Sequence, residues 1–144
     1  MGKPNAHLKR IKDLAAKNLE EGEAFLVQNK NREGVISLSE DLQYEIIVMG
    51  NGAIPSSKSK VLCHYQGQLL NGEIFDSSYK RKRPEALLLK ELIHGWQQAL
   101  LLMPTGSKWK LYIHPRLAYG FESISKESGG NCTLIFDIEL IALL

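Results

Sequence analysis

The chain is poor in cysteine, and its two thiols, Cys63 and Cys132, stand far apart and outside any CxxC spacing. That argues against a zinc or dithiol redox site. Both lie at or beside apolar, strand-like runs, so two buried free thiols in a reducing compartment are expected, with a single structural disulfide as the alternative. No apolar run approaches the ~18 residues that span a bilayer. The opening Met1-Gly2-Lys3-Pro4-Asn5 lacks the apolar core of a secretory leader, and Ala6 stands where a myristoylation motif needs Ser or Thr. A cytoplasmic protein is expected, with export the alternative if the chain is trimmed.

No charge of one sign dominates: 18 basic and 16 acidic residues leave a net charge of +2. Neither nucleic acid nor an acidic membrane is expected as the main partner. The densest basic run, Lys80-Arg81-Lys82-Arg83, is short and ends at Pro84, which reads as a solvated loop. GxSxG, P-loop and GxGxxG motifs are all missing. His7, His64, His94 and His114 are scattered without metal-ligand spacing. Neither a metal nor a cofactor is expected, and no serine or cysteine has an evident base partner.

What is present fits one domain with a short appendage, long enough at 144 residues to bury a core without staples. From residue 6 to about 30, Leu8, Ile11, Ala15, Leu19, Gly22 and Leu26 recur at helical spacing among Lys, Arg and Glu. Gly22 weakens that helix by roughly 1 kcal/mol relative to Ala. The stripe can be covered by its own domain or by another subunit. From Val35 the texture becomes β-branched, with strands expected at 35–38, 42–48, 60–70, 73–75, 108–114 and 133–143. One short helix is expected at 91–102. Residues 77–86 read as a loop or irregular edge, and 121–131 as a flexible polar loop.

Asn71-Gly72 has the composition of a two-residue hairpin turn with both residues at positive φ. Phe75-Asp76 follows, placing an acid beside a ring that is expected to be buried. Strand pairing can gather Tyr65, Phe75, Trp96, Tyr119 and Phe136; five rings in a small domain also suit a plain core. Gly95 beside Trp96 and Gly120 beside Tyr119 would let a backbone or a ligand come close to those rings. The order of elements argues for an α+β domain: an antiparallel sheet covered on one face by one short helix, with an N-terminal helical extension. Residues 1–34 are assigned to helix and linker, and 35–144 to the domain.

Taken in order, Tyr65-Gln66-Gly67, Phe75-Asp76-Ser77-Ser78, Ile93-His94-Gly95-Trp96, Gly106-Ser107, Leu117-Ala118-Tyr119-Gly120 and Thr133-Leu134-Ile135-Phe136-Asp137 resemble FKBP-type peptidyl-prolyl isomerases across about residues 42–142. Gly22-Glu23-Ala24-Phe25-Leu26 and Leu42-Gln43-Tyr44 are similar to the Mip-like bacterial branch. There an N-terminal helical region makes dimers; the shorter run here predicts that the full dimerisation region is absent.

The resemblance implies a sheet half-wrapped around a short helix, with a hydrophobic prolyl pocket between them. Trp96 would be the floor and Tyr65, Phe75, Leu92, Ile93, Tyr119 and Phe136 the walls. The Ile93 N–H and the Tyr119 hydroxyl would bond substrate carbonyls. Asp76, held by Tyr65 or Arg81, would face the rotating imide. Leu87 stands where relatives carry a ring, and Phe121–Asn131 lacks their proline and most of their apolar residues, so altered peptide preference is expected.

The implied partners are proline-containing polypeptides, macrolide inhibitors of the rapamycin type, and a homodimer through the N-terminal helix. The alternatives are a weakly active or inactive peptide-binding or chaperone module, and a non-catalytic assembly domain whose helix recruits a partner.

Overall fold

The protein, described by a computed structural model, has its backbone described from residue 2 and its side chains from residue 6. The leader reading of Met1–Asn5 falls outside those described side chains. Helix α1 spans Gly2–Asn29. Strands β1 (Val35–Ser39) and β2 (Leu42–Val48) follow, then β3 (Lys60–Leu69), β4 (Ile74–Ser77) and β5 (Glu85–Leu88). A 3-10 turn at Leu89–Glu91 leads into α2 (His94–Leu100), and β6 (Lys108–Ile113) and β7 (Leu134–Leu143) complete the sheet. Every pairing is antiparallel, in the order β1-β2-β6-β7-β3-β4, with β5 also on β3. The expected α+β architecture is present, and among the described residues no helix is long and apolar enough to cross a membrane.

The core forms where α2 lies in the concave face of the sheet. Trp96, Ala99 and Leu100 of α2 meet Leu111 and Ile113 of β6 and Leu134, Phe136, Ile138 and Leu140 of β7 in one buried cluster. The last four stand two residues apart, as a face buried by strand alternation requires. On the opposite face of β6 and β7 one end is buried too. Tyr112 and Ile135 are covered by Leu26, with Phe25 and Leu70 packed at the margin.

Helix α1 therefore covers its own domain, through its second half. Ala15, Gly22, Leu26 and Asn29 are buried, whereas Leu8 and Ile11 of the first half are 53% and 38% exposed. A polar clasp fastens the end of the helix. Gln43 Nε2 donates to Leu26 O at 2.8 Å, and Asn29 Nδ2 donates to Gln43 Oε1 at 2.8 Å. The first adds a side-chain donor to the Leu26 carbonyl, which also accepts from Lys30 N–H at 3.1 Å. Arg32 extends the clasp to Asn29, Glu45 and Tyr112.

Gly22 has a different meaning from its propensity cost. An added Cβ would overlap the Oγ1 of Thr133, whose residue is 2% exposed. The helix crosses the start of β7 at that point because no side chain intervenes. Gly22→Ala gains about 1 kcal/mol of helix propensity, but overpacking a buried contact costs about 1–3 kcal/mol. The expected net result is a lower thermal midpoint, read by circular dichroism; a raised midpoint would contradict the close crossing.

Three local expectations are corrected. Residues 85 and 86, the end of the stretch read as loop or irregular edge, belong to β5, because Glu85–Leu88 pairs in register with Lys60–Cys63. The turn after β3 is centred on Leu70 and Asn71, with Gly72 N–H donating to Leu69 O at 3.0 Å. Only Gly72 has positive φ, at 91°, which is the pattern of a type I turn followed by a left-handed bulge residue rather than a two-residue turn. The loop expected to be flexible, 121–131, is held by hydrogen bonds to α1.

Candidate functional site

Trp96, 4% exposed, lies at the bottom of a chamber of about 210 Å³ between α2 and the sheet. Tyr65, Asp76, Leu87, Glu91, Leu92, Ile93, Tyr119 and Phe136 surround it. The rings meet edge to face. Trp96 lies 5.1 Å from Tyr65 and 5.2 Å from Phe136, and Phe136 lies 5.6 Å from Phe75. That is the favoured geometry for aromatic quadrupoles. The Trp96 Nε1–H meets no acceptor, so the floor presents ring surface and no hydrogen bond.

The polar groups stand at the rim. Tyr65 Oη donates to Asp76 Oδ2 at 2.9 Å, and Arg81 donates to Asp76 Oδ1 at 2.6 Å and to Tyr65 Oη at 3.0 Å. The guanidinium carbon also lies 5.7 Å from the Tyr65 ring centroid. Both expected partners of Asp76 therefore hold it together. The acid is not buried, however: 39% of its side-chain surface is exposed. Its charge is met by a cation and a hydroxyl instead of being hidden, which avoids the cost of an isolated buried carboxylate.

Burial, followed by the bond to Asp76, raises the Tyr65 hydroxyl above the ordinary tyrosine range. Burial and the Asp76 charge do the same to Tyr119. Both phenols stay protonated at neutral pH and can donate. Arg81 is raised chiefly by its hydrogen bond to Asp76, so it stays charged.

Backbone geometry explains why these groups converge. Gly67 pairs with Asp76 across β3 and β4, and the register then slips between Gly67 and Gln68. Ser78, fully buried, accepts from Tyr65 N–H at 2.7 Å, while its own N–H donates to Tyr65 O at 2.9 Å. This ties Tyr65 to the segment carrying Asp76. Ile93 precedes α2 in extended backbone, and among the described residues its N–H has no acceptor.

A second cleft of about 330 Å³ adjoins the chamber and shares Asp76 and Tyr119 with it. Phe75, Glu122, Ser123 and Ile124 complete its lining. All the residues named from the sequence thus meet here: Tyr65, Asp76, Leu87, Leu92, Ile93, Trp96, Tyr119 and Phe136 around the chamber, and Phe75 behind Phe136 in the adjoining cleft.

Sequence reasoning missed Ser78, Glu91 and Glu122. A serine after a strand and glutamates in loops carry no local signal of what they will face. Lys80–Arg83 is exposed, as a solvated loop should be, and from it Arg81 also reaches Asp76 and Glu85. Gly95 lets α2 settle on Ile113, whose Cγ2 would be 2.7 Å from an added Cβ, whereas Gly120 makes a turn at φ 57°.

Cys63 and Cys132 are both free, which rules out the disulfide alternative. Burial pushes the Cys63 thiol up to about 12 and also raises Cys132, which is half-buried rather than buried. Among the described residues no group of three or more His, Cys, Asp or Glu could hold a metal ion. A further cleft, about 500 Å³, lies between α1 and the β1–β2 hairpin. Its Glu23, His114, Arg116 and Asp41 are occupied with one another, and none of its polar side chains is buried without a partner.

Known proteins match this chain in sequence and in fold. Residues 52–141 match the family model described as FKBP-type peptidyl-prolyl cis-trans isomerase, and residues 4–46 match the domain amino terminal to it. The chain is 44% identical over 88% of its length to the peptidyl-prolyl cis-trans isomerase Mip of Coxiella burnetii, spanning 55% of that protein. It is 42% identical over 90% of its length to the outer membrane protein MIP of Legionella longbeachae, again spanning 55% of it. The crystal structure of FkpA from Escherichia coli superposes with a TM-score of 0.90 at 32% identity, covering 97% of this chain and 65% of that one. The chain thus spans little more than half the length of these curated relatives. On its matched sequence and shared fold, the chain belongs to the FKBP-type peptidyl-prolyl cis-trans isomerase family.

Proposed function

We propose that this protein accelerates cis–trans rotation of X-Pro bonds in polypeptides. The observation that carries the reading is an apolar chamber floored by Trp96 with one fixed carboxylate, Asp76, at its rim. Rotation about the peptide C–N bond is opposed by a resonance barrier of ~18–20 kcal/mol. The two X-Pro isomers differ by only ~0.5–1 kcal/mol, so catalysis needs no energy source. Resonance places charge on the amide oxygen and nitrogen, and twisting removes it. An apolar chamber favours the less charge-separated twisted amide, and fixed polar groups complement that state without reorganising.

In this reading the proline ring sits on Trp96 between Tyr65, Leu87, Leu92 and Phe136. Ile93 N–H and Tyr119 Oη bond the flanking carbonyls, and Asp76 faces the rotating imide. Phe75 supports the wall through Phe136. Leu87 completes the lining where relatives carry a ring, and nothing in the geometry favours an inactive module. Residues 35–144 form the catalytic unit and 1–34 its helical extension. Macrolides of the rapamycin type compete for the same chamber. A homodimer through α1 is supported by the exposed Leu8 and Ile11. Two free thiols support a reducing compartment; the outer-membrane name of one relative weighs the other way.

Exchange NMR on short X-Pro peptides tests the activity, and failure to exceed the uncatalysed rate with a folded protein would overturn it. The same assay reads specificity. The charged residues lining the chamber and the adjoining cleft are Asp76, Glu91 and Glu122, all acidic. Exposed ion pairs contribute ~0.2–1 kcal/mol, so a lysine flanking the proline should improve kcat/KM by about twofold to fivefold over a glutamate. The preference should shrink as salt is raised; equal rates at low salt would remove the electrostatic account.

A further inference from the structure

The loop that leaves Gly120 and returns at Asn131 faces two ways. On its outward course Glu122, Ser123 and Ile124 line the cleft beside the prolyl chamber. On its return, Ser128–Asn131 lies against α1. Asn18 Nδ2 donates to Ser128 O at 2.7 Å and to Gly130 O at 2.8 Å. Asn131 Nδ2 reaches Ala15 O at 3.4 Å. Leu14 lies so close to Gly129 that an added Cβ there would stand 2.6 Å from Leu14 Cδ2.

The two courses are tied together. Asn131 N–H donates to Gly120 O at 2.8 Å. Ser125 N–H donates to Ser128 Oγ at 2.9 Å and Ser128 N–H donates to Ser125 Oγ at 3.1 Å. A displacement of the return course is therefore carried to the lining course. The loop has little apolar packing of its own, Ile124 being its one partly buried apolar residue before Cys132 packed against the core. Segments of that kind open at low free energy unless something fastens them. The shortest side-chain bonds that fasten it to α1 come from one amide, Asn18, with two N–H donors, both used.

We propose that Asn18 is a positioning residue for the prolyl site. Through Ser128 and Gly130 it holds the loop that presents Glu122, Ser123 and Ile124 to the substrate residue flanking proline. Helix α1 is thereby part of the substrate-binding apparatus, beyond any role in assembly. The inference rests on the isomerase reading of the chamber. Contacts to a flanking residue are made alike in the planar and twisted states, so they act on KM and leave kcat nearly unchanged.

The test compares the full chain with Asn18→Asp, which keeps the shape and turns the donors into acceptors facing two carbonyls. For a peptide with residues on both sides of X-Pro, KM should rise roughly threefold to tenfold, the worth of one or two lost hydrogen bonds. kcat should stay within about twofold, and a minimal blocked X-Pro substrate that fills only the chamber should be turned over equally by both chains. Amide exchange should quicken across residues 122–131 and stay unchanged in β3 and β7. Leu14→Ala, which removes the packing on Gly129, should give the same split in weaker form, and it carries the test if Asn18→Asp does not fold.

Equal KM values for the long peptide, or an equal rise with the minimal substrate, would overturn the proposal. If the unaltered chain does not isomerise at all, the isomerase reading fails separately. Peptide affinity then decides the role of Asn18: weaker binding by Asn18→Asp upholds it and an equal Kd overturns it.

Discussion

Replacing Asp76 by Asn should lower kcat for X-Pro peptides by about tenfold while changing KM much less. As the imide twists, the nitrogen lone pair withdraws from conjugation and the carbonyl becomes ketone-like. Its carbon is then the electropositive end of a bond that faces a fixed carboxylate. Preorganised groups of this kind contribute 10²–10³-fold in sites closed to water. Asp76 is 39% exposed on its side chain, so solvent screens part of that effect and the lower figure is expected.

Asn preserves the volume and still accepts from Tyr65 Oη, whereas Arg81 loses its ion pair and retains Glu85. The fold should therefore survive, with an unchanged far-ultraviolet circular dichroism spectrum. Exchange NMR would measure the rate. A kcat within twofold of the unaltered chain would remove Asp76 from the mechanism and leave the apolar chamber as the whole of it.

Replacing Trp96 by Ala should have the largest effect on stability, a loss of about 3–5 kcal/mol. The indole is 4% exposed and touches Tyr65 and Phe136 edge to face. Its removal leaves a hole that opens into the chamber, so packing is lost and water gains access to the place where the proline ring would rest. For a domain of this size each kcal/mol shifts the thermal midpoint by several degrees, and urea unfolding would give the free energy directly.

Trp109 provides the contrast. It is 2% exposed and stacked on Tyr44 at 4.4 Å, on the other side of the core. Trp109→Ala should cost a comparable amount of stability. Assayed at a temperature where both variants are folded, only Trp96→Ala should lose kcat/KM. Equal activity in both would mean that Trp96 is ordinary core.

The two tryptophans also show how far a sequence can be read. Alternation along 108–114 sets Trp109 on one side with Leu111 and Ile113, and helical spacing sets Trp96 on one face with Ile93 and Leu100. Both patterns reflect local backbone geometry, a period of two for strands and 3.6 for helices. They could not reveal that one ring lines a chamber and the other does not. β5 escaped notice because Glu85-Ala86-Leu87-Leu88 has no alternation of its own; its strand conformation comes from pairing with Lys60–Cys63. Ile135 on the outer face of β7 is 7% exposed because α1 covers it, although an antiparallel sheet is often solvated on that side.

The family motifs were legible for a different reason. Tyr65, Phe75-Asp76, Ile93, Trp96, Tyr119 and Phe136 stand in an order that this family shares, so one glance along the chain gathers a site whose members are far apart. Arg81 was legible only as a basic group near enough to pair. The loop at 121–131 was misjudged because glycine and serine suggest mobility, whereas it is held by its own hydrogen bonds and by α1, where Asn18 stands 110 residues away from Ser128.

By itself the sequence determined the element types, the α+β class, the aromatic set and the acid beside it, because these follow from short-range periodicity and from a motif order. Tertiary structure alone decided three further points. Helix α1 rests its second half on β6 and β7, Arg81 bonds Asp76 and Glu85 together, and Asn18 holds the carbonyls of Ser128 and Gly130. Each depends on a hydrogen bond or a packing contact whose partner the local chain cannot name, because its geometry exists only once the sheet has closed.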